Sequence, residues 1–200
     1  MVAAIKIRDG KPSDASDFAI LADMATRRLT SFLFRASEQN GIAPLGLCRQ
    51  AIQNDAQHTL HYSNWRVAER GGQLLGGLNG YIIQPADFTM PQSETERVIQ
   101  PLSELKAVSE GNWYTAAVAV LHEEQGKGAG SALLKDVDAR SRAIGANAVT
   151  LMVGSFNKDA RRLYKRLGYT EVERRDFVTF PGSDSKGEWI LMSKDLSEHD

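Results

Sequence analysis

A glycine-rich turn is the part of this sequence whose residue types point most directly to chemistry. Residues 125–131 read Gln-Gly-Lys-Gly-Ala-Gly-Ser, between an apolar run, Tyr114 to Leu121, and an amphipathic run, Leu133 to Ile144. This order predicts a strand, a tight turn and a helix. Glycines let the main chain approach a ligand at positive φ, and a helix N-terminus adds unpaired N–H donors and a positive dipole end. The turn therefore predicts a site for a ligand that carries a diphosphate.

The glycine spacing excludes two common phosphate-binding loops. A dinucleotide fingerprint needs G-x-G-x-x-G, and a nucleotide P-loop needs four residues between its first glycine and a Gly-Lys-Ser/Thr. Glycines at 126, 128 and 130 fit neither pattern. A dinucleotide-binding domain also requires an acidic ribose ligand about 20 residues after the loop, and residues 145–150 contain none. From this segment alone, an ordinary strand-to-helix turn stays open as the alternative.

A second segment, residues 157–169, predicts a short capped helix. Asn157 is a good N-cap, Asp159 lies in the positive first turn, and Gly168 is suited to end the helix. A tyrosine on the apolar face of such a helix is also common in a core, and that alternative stays open from this segment alone. The face consists of Ala160, Leu163, Tyr164 and Leu167, at i, i+3, i+4 and i+7.

Taken together, the two segments resemble motifs A and B of the GNAT superfamily of acyl-CoA-dependent N-acyltransferases. Motif A, Gln/Arg-x-x-Gly-x-Gly/Ala, is matched by Gln125, Gly128 and Gly130. Motif B, Asn-x-x-Ala-x-x-Leu-Tyr-x-x-x-Gly-Phe/Tyr, is matched from Asn157 to Tyr169. The resemblance implies the GNAT fold, a mixed α/β architecture. In it, about four to five helices flank a twisted, mostly antiparallel sheet of about seven strands, and a central parallel pair splays apart to admit the cofactor's pantetheine arm.

The resemblance also implies an activity and assigns roles to residues. An acetyl group would move from acetyl-CoA to a primary amine that attacks the thioester directly. Tyr164, with an ordinary pKa near ~10, would protonate the departing CoA thiolate, and Asn157 would hydrogen-bond the pantetheine arm. The implied coenzyme A-binding residues are Val118, Val120, Gln125, Gly126, Lys127, Gly128, Ala129, Gly130, Ser131, Asn157, Ala160 and Tyr164.

Three aspects of function stay open in the sequence. A non-catalytic acyl-CoA-binding relative, acting as a sensor or interaction module, is the alternative to an enzyme. The acceptor is either a small-molecule amine or a peptide amine, and the acyl group is acetyl or longer. No general base is marked. The nearest ionisable residues are Glu104, Glu110, His122 and Glu123, and each is more typical of solvated surface.

Two segments bear on the acceptor. Residues 30–35 place Phe32 and Phe34 in the region that holds the acceptor amine in the family. Residues 84–112 are long for a connection and predict a lid or a pocket wall. This second segment contains five acidic and two basic residues, a net charge of −3, which favours a cationic amine: Asp87, Glu94, Glu96, Glu104 and Glu110 against Arg97 and Lys106.

Composition sets the outer bounds. The 200 residues, 42% hydrophobic with a net charge of −1, predict one domain over residues 1–200 and no attraction to nucleic acid. No apolar run is long enough for a bilayer, so a soluble cytoplasmic protein is expected. Cys48 is the only cysteine, a buried thiol rather than a nucleophile. His58, His61, His122 and His199 lack metal-ligand spacing, so no metal is expected. A homodimer through the last strand pair, with Trp189 and Ile190 in an interface or a core, stays open.

Periodicity and turn residues predict the remaining elements. Helix residues 133, 134, 137 and 144 are expected to face inward, and 135, 136, 138, 140 and 142 outward. Two predicted strands, Trp65–Glu69 and Leu74–Ile83, form a hairpin around residues 71–72. The other predicted strands are Ala4–Arg8, Tyr114–Leu121, Ala148–Val153, Thr170–Phe180 and Trp189–Lys194. One predicted helix begins near Pro12, with Ser13 or Asp14 as its cap. Three further helices are predicted over Leu45–Gln57, Pro101–Ser109 and Ser131–Ile144.

Overall fold

The protein is described by a computed structural model over residues 3–35, 41–84 and 93–197. Within these ranges it contains seven strands and six α-helices. The strands are β1 (Lys6–Asp9), β2 (Trp65–Arg70), β3 (Gln73–Ile82), β4 (Trp113–Val120), β5 (Ala148–Gly154), β6 (Thr170–Asp176) and β7 (Glu188–Asp195). The helices are α1 (Ala15–Ala25), α2 (Leu29–Arg35), α3 (Pro44–Asn54), α4 (Glu94–Ala107), α5 (Ala129–Ala143) and α6 (Lys158–Arg166).

The strands form one sheet in the order β1-β2-β3-β4-β5-β7-β6. The β1–β2, β2–β3, β5–β7 and β6–β7 pairs are antiparallel, and β4–β5 is parallel. The parallel register covers three residue pairs, from Trp113–Val149 to Thr115–Leu151. The predicted seven-stranded, mostly antiparallel sheet with one parallel pair is therefore confirmed. The number of helices is six in the described ranges rather than four to five. The splay of the parallel pair stays a prediction.

The described chain divides into two compact units. The first is drawn from residues 1–80 and 116–136, and the second from residues 81–115 and 137–200. Strands β3 and β4 each contribute residues to both units. A single functional domain over residues 1–200 stays a prediction.

The core of the first unit forms around α1 and the hairpin of β2 and β3. The Phe18 ring stacks on the Trp65 ring, with centroids 4.4 Å apart and planes 6° from parallel. The Trp65 indole N–H donates to the Leu60 carbonyl at 2.9 Å, so its polar atom is satisfied inside the core. Phe18 and Leu21 of α1 are both buried in this core. The helix itself begins at Ala15, because residues 12–14 form a 3-10 turn.

The core of the second unit forms where α4 packs on the last strands. Leu105 of α4 clusters with Trp189 and Leu191 of β7. Ile190 is fully buried and Trp189 is 8% exposed, so both belong to the core. The predicted start of this helix at Pro101 is wrong, because α4 begins seven residues earlier and contains the proline. A proline suits a first helical turn, which explains the misplaced start.

Helix α5 departs from its predicted pattern in three residues. Ile144, expected inward, is 58% exposed beyond the end of the helix. Asp138, expected outward, is buried and accepts a hydrogen bond from the Lys194 ammonium at 2.5 Å. Asp136, also expected outward, pairs with Arg66 at 2.7 Å. A carboxylate can lie away from solvent when it is paired with a cation. Here the two cations, Lys194 and Arg66, come from distant parts of the chain. Helix α2 was not identified in the sequence.

Candidate active site

The glycine-rich turn lies in the first unit, between the end of β4 and the start of α5. Residues 122–124 form a 3-10 turn that leads into it. The Gln125 side-chain amide then reaches back and donates to the Val120 carbonyl at 3.1 Å. Gly126 and Gly128 adopt φ angles of 74° and 96°, which favour glycine. A Cβ added at Gly126 would meet no atom within 4 Å, so the space beside this residue is open.

The turn presents a series of unpaired backbone donors. Among the residues that the structure describes, none accepts a hydrogen bond from the N–H groups of residues 126–131. Residues 129–131 are the first turn of α5, whose N–H groups have no helical acceptor. The N–H of Gln125 differs, because it donates to the His122 carbonyl at 3.3 Å. Consecutive free amides at a helix N-terminus can bind an anion.

Charged side chains flank the turn. The Glu124 carboxylate accepts hydrogen bonds from Arg70 at 2.9 Å and from Lys127 at 3.3 Å. Desolvation acts to raise the pKa of Glu124, but the hydrogen bonds from Lys127 and Arg70 outweigh it and lower the pKa. Glu124 therefore stays ionised and anchors both cations beside the turn. The Lys127 side chain is 53% exposed, which leaves its ammonium accessible to a ligand.

The C-terminal half of β4 presents Val118 and Val120 at one edge. Leu121 donates its N–H to the Leu75 carbonyl at 2.8 Å, which binds the end of β4 to β3. Backbone N–H groups of successive strand residues point to opposite edges. The N–H groups of Val120 and Val118 therefore point away from β3. These two residues lie in the same unit as the turn.

Helix α6, in the second unit, begins as predicted. The Asn157 side-chain oxygen accepts from the Ala160 N–H at 3.4 Å and caps the helix. The Asn157 backbone N–H donates to the Gly154 carbonyl at 2.9 Å, which fixes the residue at the end of β5. In the described part of the chain, the side-chain NH₂ of Asn157 has no acceptor. It can therefore serve a ligand while the oxygen caps the helix.

Tyr164 lies on the buried face of α6. It is 6% exposed, and its ring centroid is 5.8 Å from that of Tyr169. Burial raises the pKa of Tyr164 to about 12, above the ordinary value expected from the sequence. Its hydroxyl has no hydrogen-bond partner among the described side chains and backbone groups. The Tyr169 hydroxyl is fully enclosed and has no partner there either.

The ionisable residues nearest to the motifs offer no obvious base. Glu104 pairs with Arg175 at 2.6 Å. Glu110, His122 and Glu123 are exposed. Asp87, of the acidic segment 84–112, and His199 lie outside the described residues. Phe34, one of the two aromatic residues in the region expected to hold the acceptor, lies in α2, and its ring centroid is 5.8 Å from that of His58.

Cys48 and the histidines do not form a second reactive site in the described ranges. Cys48 is fully buried, and desolvation together with the negative charge of Asp23 raises the pKa of its thiol to about 12. No three His, Cys, Asp or Glu side chains of the described chain are grouped as metal ligands would be. None of its helices has the length and apolar character needed to cross a membrane.

Cys48 is expected to be inert in the folded protein. A buried thiol of raised pKa holds almost no thiolate near pH ~8, and the thiolate is the reactive form. The aromatic disulfide DTNB should therefore modify Cys48 at less than about a hundredth of the rate of free cysteine, and fully after unfolding in guanidinium. Fast modification of the folded protein would contradict this burial.

The structure groups the predicted site residues by unit. The first unit holds Val118, Val120 and the turn 125–131, and the second holds Asn157, Ala160 and Tyr164. Sequence reasoning did not identify Arg70 and Glu124, which fix the turn. The signal for Glu124 was its position one residue before the motif, whereas Arg70 is 54 residues away from it in sequence.

Known proteins resemble this chain in sequence and in fold. The model of the acetyltransferase (GNAT) family matches residues 26–169. No curated protein matches the sequence. Similar solved structures include an N-acetyltransferase from Staphylococcus aureus Mu50, with a TM-score of 0.65 and 17% identity over 94% of this chain and 99% of that one. The protein yncA of Salmonella typhimurium, solved with its cofactor acetyl-CoA, has a TM-score of 0.58 and 20% identity over 98% of this chain and 96% of that one.

A third similar structure is the ribosomal-protein-S18-alanine N-acetyltransferase of Escherichia coli. Its TM-score is 0.60 at 15% identity, over 98% of this chain and 97% of that one. At these identities the structures show a shared fold. The family match covers most of the sequence and includes both motifs. This chain therefore belongs to the GNAT acetyltransferase family.

Proposed function

We propose that this protein is an N-acetyltransferase that moves an acetyl group from acetyl-CoA to a primary amine. The observation that carries the proposal is the row of unpaired N–H groups at residues 126–131, at the start of α5. A row of amides at a helix N-terminus suits a diphosphate, and coenzyme A carries one. The residues present therefore fit this ligand.

The turn supplies binding through preorganised dipoles. Its amides are held by the φ angles of Gly126 and Gly128 and by the Gln125–Val120 hydrogen bond. Donors that are fixed before the ligand arrives cost no reorganisation on binding. The Lys127 ammonium adds a positive charge beside them. In this proposal, residues 126–131 and Lys127 bind the diphosphate, and the Val118 and Val120 main chain and the Asn157 amide bind the pantetheine arm.

Tyr164 is the proposed proton donor. Acetyl-CoA supplies an activated thioester, and its cleavage leaves a thiolate. A phenol with a pKa of about 12 is fully protonated at neutral pH, so its O–H is available as a donor. Its acidity is lower than that of an ordinary thiol, with a pKa near ~8.5. Tyr164 therefore stabilises the departing thiolate by donating a hydrogen bond to the sulfur, and its proton is shared with the sulfur only while negative charge accumulates there.

The acceptor amine must be neutral when it attacks. An ordinary amine has a pKa near ~10, so about one molecule in a thousand is neutral at pH ~7. With Glu104 bound to Arg175 and the other nearby acids exposed, we assign the proton to water rather than to a carboxylate. The rate should then rise with pH as the neutral amine becomes more abundant.

A ligand panel tests the proposed cofactor. At about 100 times its Kd, a ligand stabilises the protein by about 2.7 kcal/mol. This corresponds to a rise of about 5–10 °C in Tm for a chain of this size. We expect this rise with acetyl-CoA, and no comparable rise with NAD, NADP or ATP. Binding without acetylation of any amine would favour a sensor, and no shift with acetyl-CoA would remove the proposal.

Two charge-reversal variants, one in the turn and one on α5, test whether the ligand binds at the turn. Lys127→Glu should weaken acetyl-CoA binding about fivefold, or about 1 kcal/mol, because a carboxylate then faces the diphosphate. Lys135→Glu is the matched control, since Lys135 is exposed further along α5. It should leave the Kd unchanged. Isothermal titration measures both, and the loss in Lys127→Glu should shrink at high salt. Equal effects of the two reversals would mean that Lys127 is not beside the ligand.

A further inference from the structure

An open groove crosses the surface of the second unit. It lies between α4 and the residues at the end of β6, and its volume is about 630 Å³. A cavity of this size takes a ligand as large as a drug molecule or a few peptide residues. The residues of α4 that line it lie at i, i+3, i+4 and i+7, which is one face of the helix. They are Arg97, Gln100, Pro101 and Glu104, and they face Arg175 and Asp176.

One ion pair joins the two walls of the groove. The Arg175 guanidinium donates to the Glu104 carboxylate at 2.6 Å and to the Glu173 carboxylate at 2.6 Å. The Gln100 side chain also donates to Glu104, at 3.1 Å. Beneath them, Leu105 packs against the core around Trp189. This ion pair therefore holds the two walls of the groove together, and Glu104 and Arg175 neutralise each other's charge.

Two charged groups that line the groove are not used in this way. The Arg97 guanidinium and the Asp176 carboxylate have no ionic or hydrogen-bond partner among the described residues. The groove thus offers a cation and an anion to one ligand.

We propose that this groove binds the acceptor as a peptide that carries both an acidic and a basic residue; the proposal rests on the proposed N-acetyltransferase function. A simple amine has one charge and would leave Arg97 unpaired. Such a peptide satisfies both groups, because its acidic side chain pairs with Arg97 and its basic side chain pairs with Asp176.

Ring contacts connect the groove to the start of α6. Phe177 directly follows the lining residue Asp176 in sequence, and its ring centroid lies 5.4 Å from that of Phe156. Phe156 directly precedes Asn157, the cap of α6. The groove is therefore linked, through Phe177 and Phe156, to the chain segment that leads into Asn157, which is proposed to serve acetyl-CoA. The groove sets which acceptor binds, whereas Tyr164 donates to the sulfur of coenzyme A whichever acceptor reacts.

The test compares three acceptors at fixed acetyl-CoA. The first is the hexapeptide Ala-Glu-Ala-Arg-Ala-Ala with a free amino terminus, and the second has glutamine in place of both charged residues. The third is alaninamide. Release of the coenzyme A thiol gives kcat and KM for each. We expect the KM of the charged peptide to be about tenfold below that of the glutamine peptide, or about 1.4 kcal/mol, with similar kcat.

Charge reversals show whether the groove is responsible. Arg97→Glu and Asp176→Lys should each raise the KM of the charged peptide about fivefold and leave the KM of alaninamide unchanged. Arg142→Glu is the matched control, because Arg142 is exposed on α5 and outside the groove. Fluorescence polarisation with a labelled copy of the charged peptide gives the same comparison without turnover.

The outcomes separate this proposal from the proposed function. If acetyl-CoA binds and all three acceptors react with the same KM, the enzyme stands and the peptide groove is wrong. Unchanged peptide binding in both Arg97→Glu and Asp176→Lys also overturns it. If acetyl-CoA does not bind, the proposed function fails, and polarisation still decides whether the groove holds the peptide.

Discussion

Replacement of Tyr164 by phenylalanine is expected to lower kcat about a hundredfold and to leave the Kd of acetyl-CoA within about twofold. A positioned proton donor contributes about 10²–10⁴-fold to a rate. The ring itself is buried on the inner face of α6, and Phe keeps its volume and its contact with Tyr169. The expected loss therefore comes from the hydroxyl. Steady-state kinetics and titration calorimetry on the same preparation measure the two quantities.

Tyr169→Phe is the matched control for this substitution. Its hydroxyl is fully enclosed and has no partner in the described part of the chain. An enclosed unpaired hydroxyl costs free energy, so its removal should leave kcat unchanged and raise the stability by up to about 1 kcal/mol. If Tyr164→Phe retains full turnover, or if both variants lose it equally, the hydroxyl of Tyr164 is not the donor.

The pH dependence of the rate is a second test of the Tyr164 hydroxyl. Tyr164 is protonated below its pKa of about 12 and loses its donor proton above it. An unburied tyrosine would begin to lose activity near pH ~10. The wild-type rate should therefore show no decline up to that pH, and should rise while the amine becomes neutral. An alkaline loss centred near pH ~10 would mean that Tyr164 is more solvated than its burial indicates.

Local patterns identified both motifs from the sequence. The turn at 125–131 and the cap at Asn157 depend on residues that are close in sequence, so glycine positions and capping rules predict them. Positive φ at Gly128 and Gly168 agrees with those rules. The β2–β3 hairpin was found in the same way, from its two central glycines. The sequence therefore predicted the elements that carry the motifs.

Features built from distant residues could not be predicted. Asp138 reads as an exposed helical residue until Lys194, 56 residues later, is placed beside it. Glu104 and Arg175 are 71 residues apart, and their pair joins the walls of the groove. The raised pKa of Tyr164 depends on how much of the chain covers it. Each of these is set by tertiary packing, which periodicity does not contain.

Gly76→Ala is expected to destabilise the protein and to weaken acetyl-CoA binding together. A Cβ at Gly76 would lie 2.5 Å from the Ala119 carbonyl oxygen and 2.8 Å from the Val120 Cα. Because backbone atoms of β4 are in the way, the strand must move. Overpacking of this kind costs about 1–3 kcal/mol, or several degrees in Tm. Movement of Val120 also shifts the proposed pantetheine contact and the carbonyl that holds Gln125, so the Kd should rise about tenfold.

Gly72→Ala separates these two effects, because it lies in the same hairpin but meets no atom within 4 Å. Its φ of 82° makes alanine strained there, at a cost of about 1–2 kcal/mol. Gly72→Ala should therefore lower Tm by a similar amount and leave the Kd of acetyl-CoA unchanged. Thermal unfolding and calorimetry measure both variants. If the two variants weaken binding equally, the loss follows from stability alone, and the end of β4 has no special part in holding the ligand. If only Gly76→Ala weakens it, the position of Val120 is what binding requires.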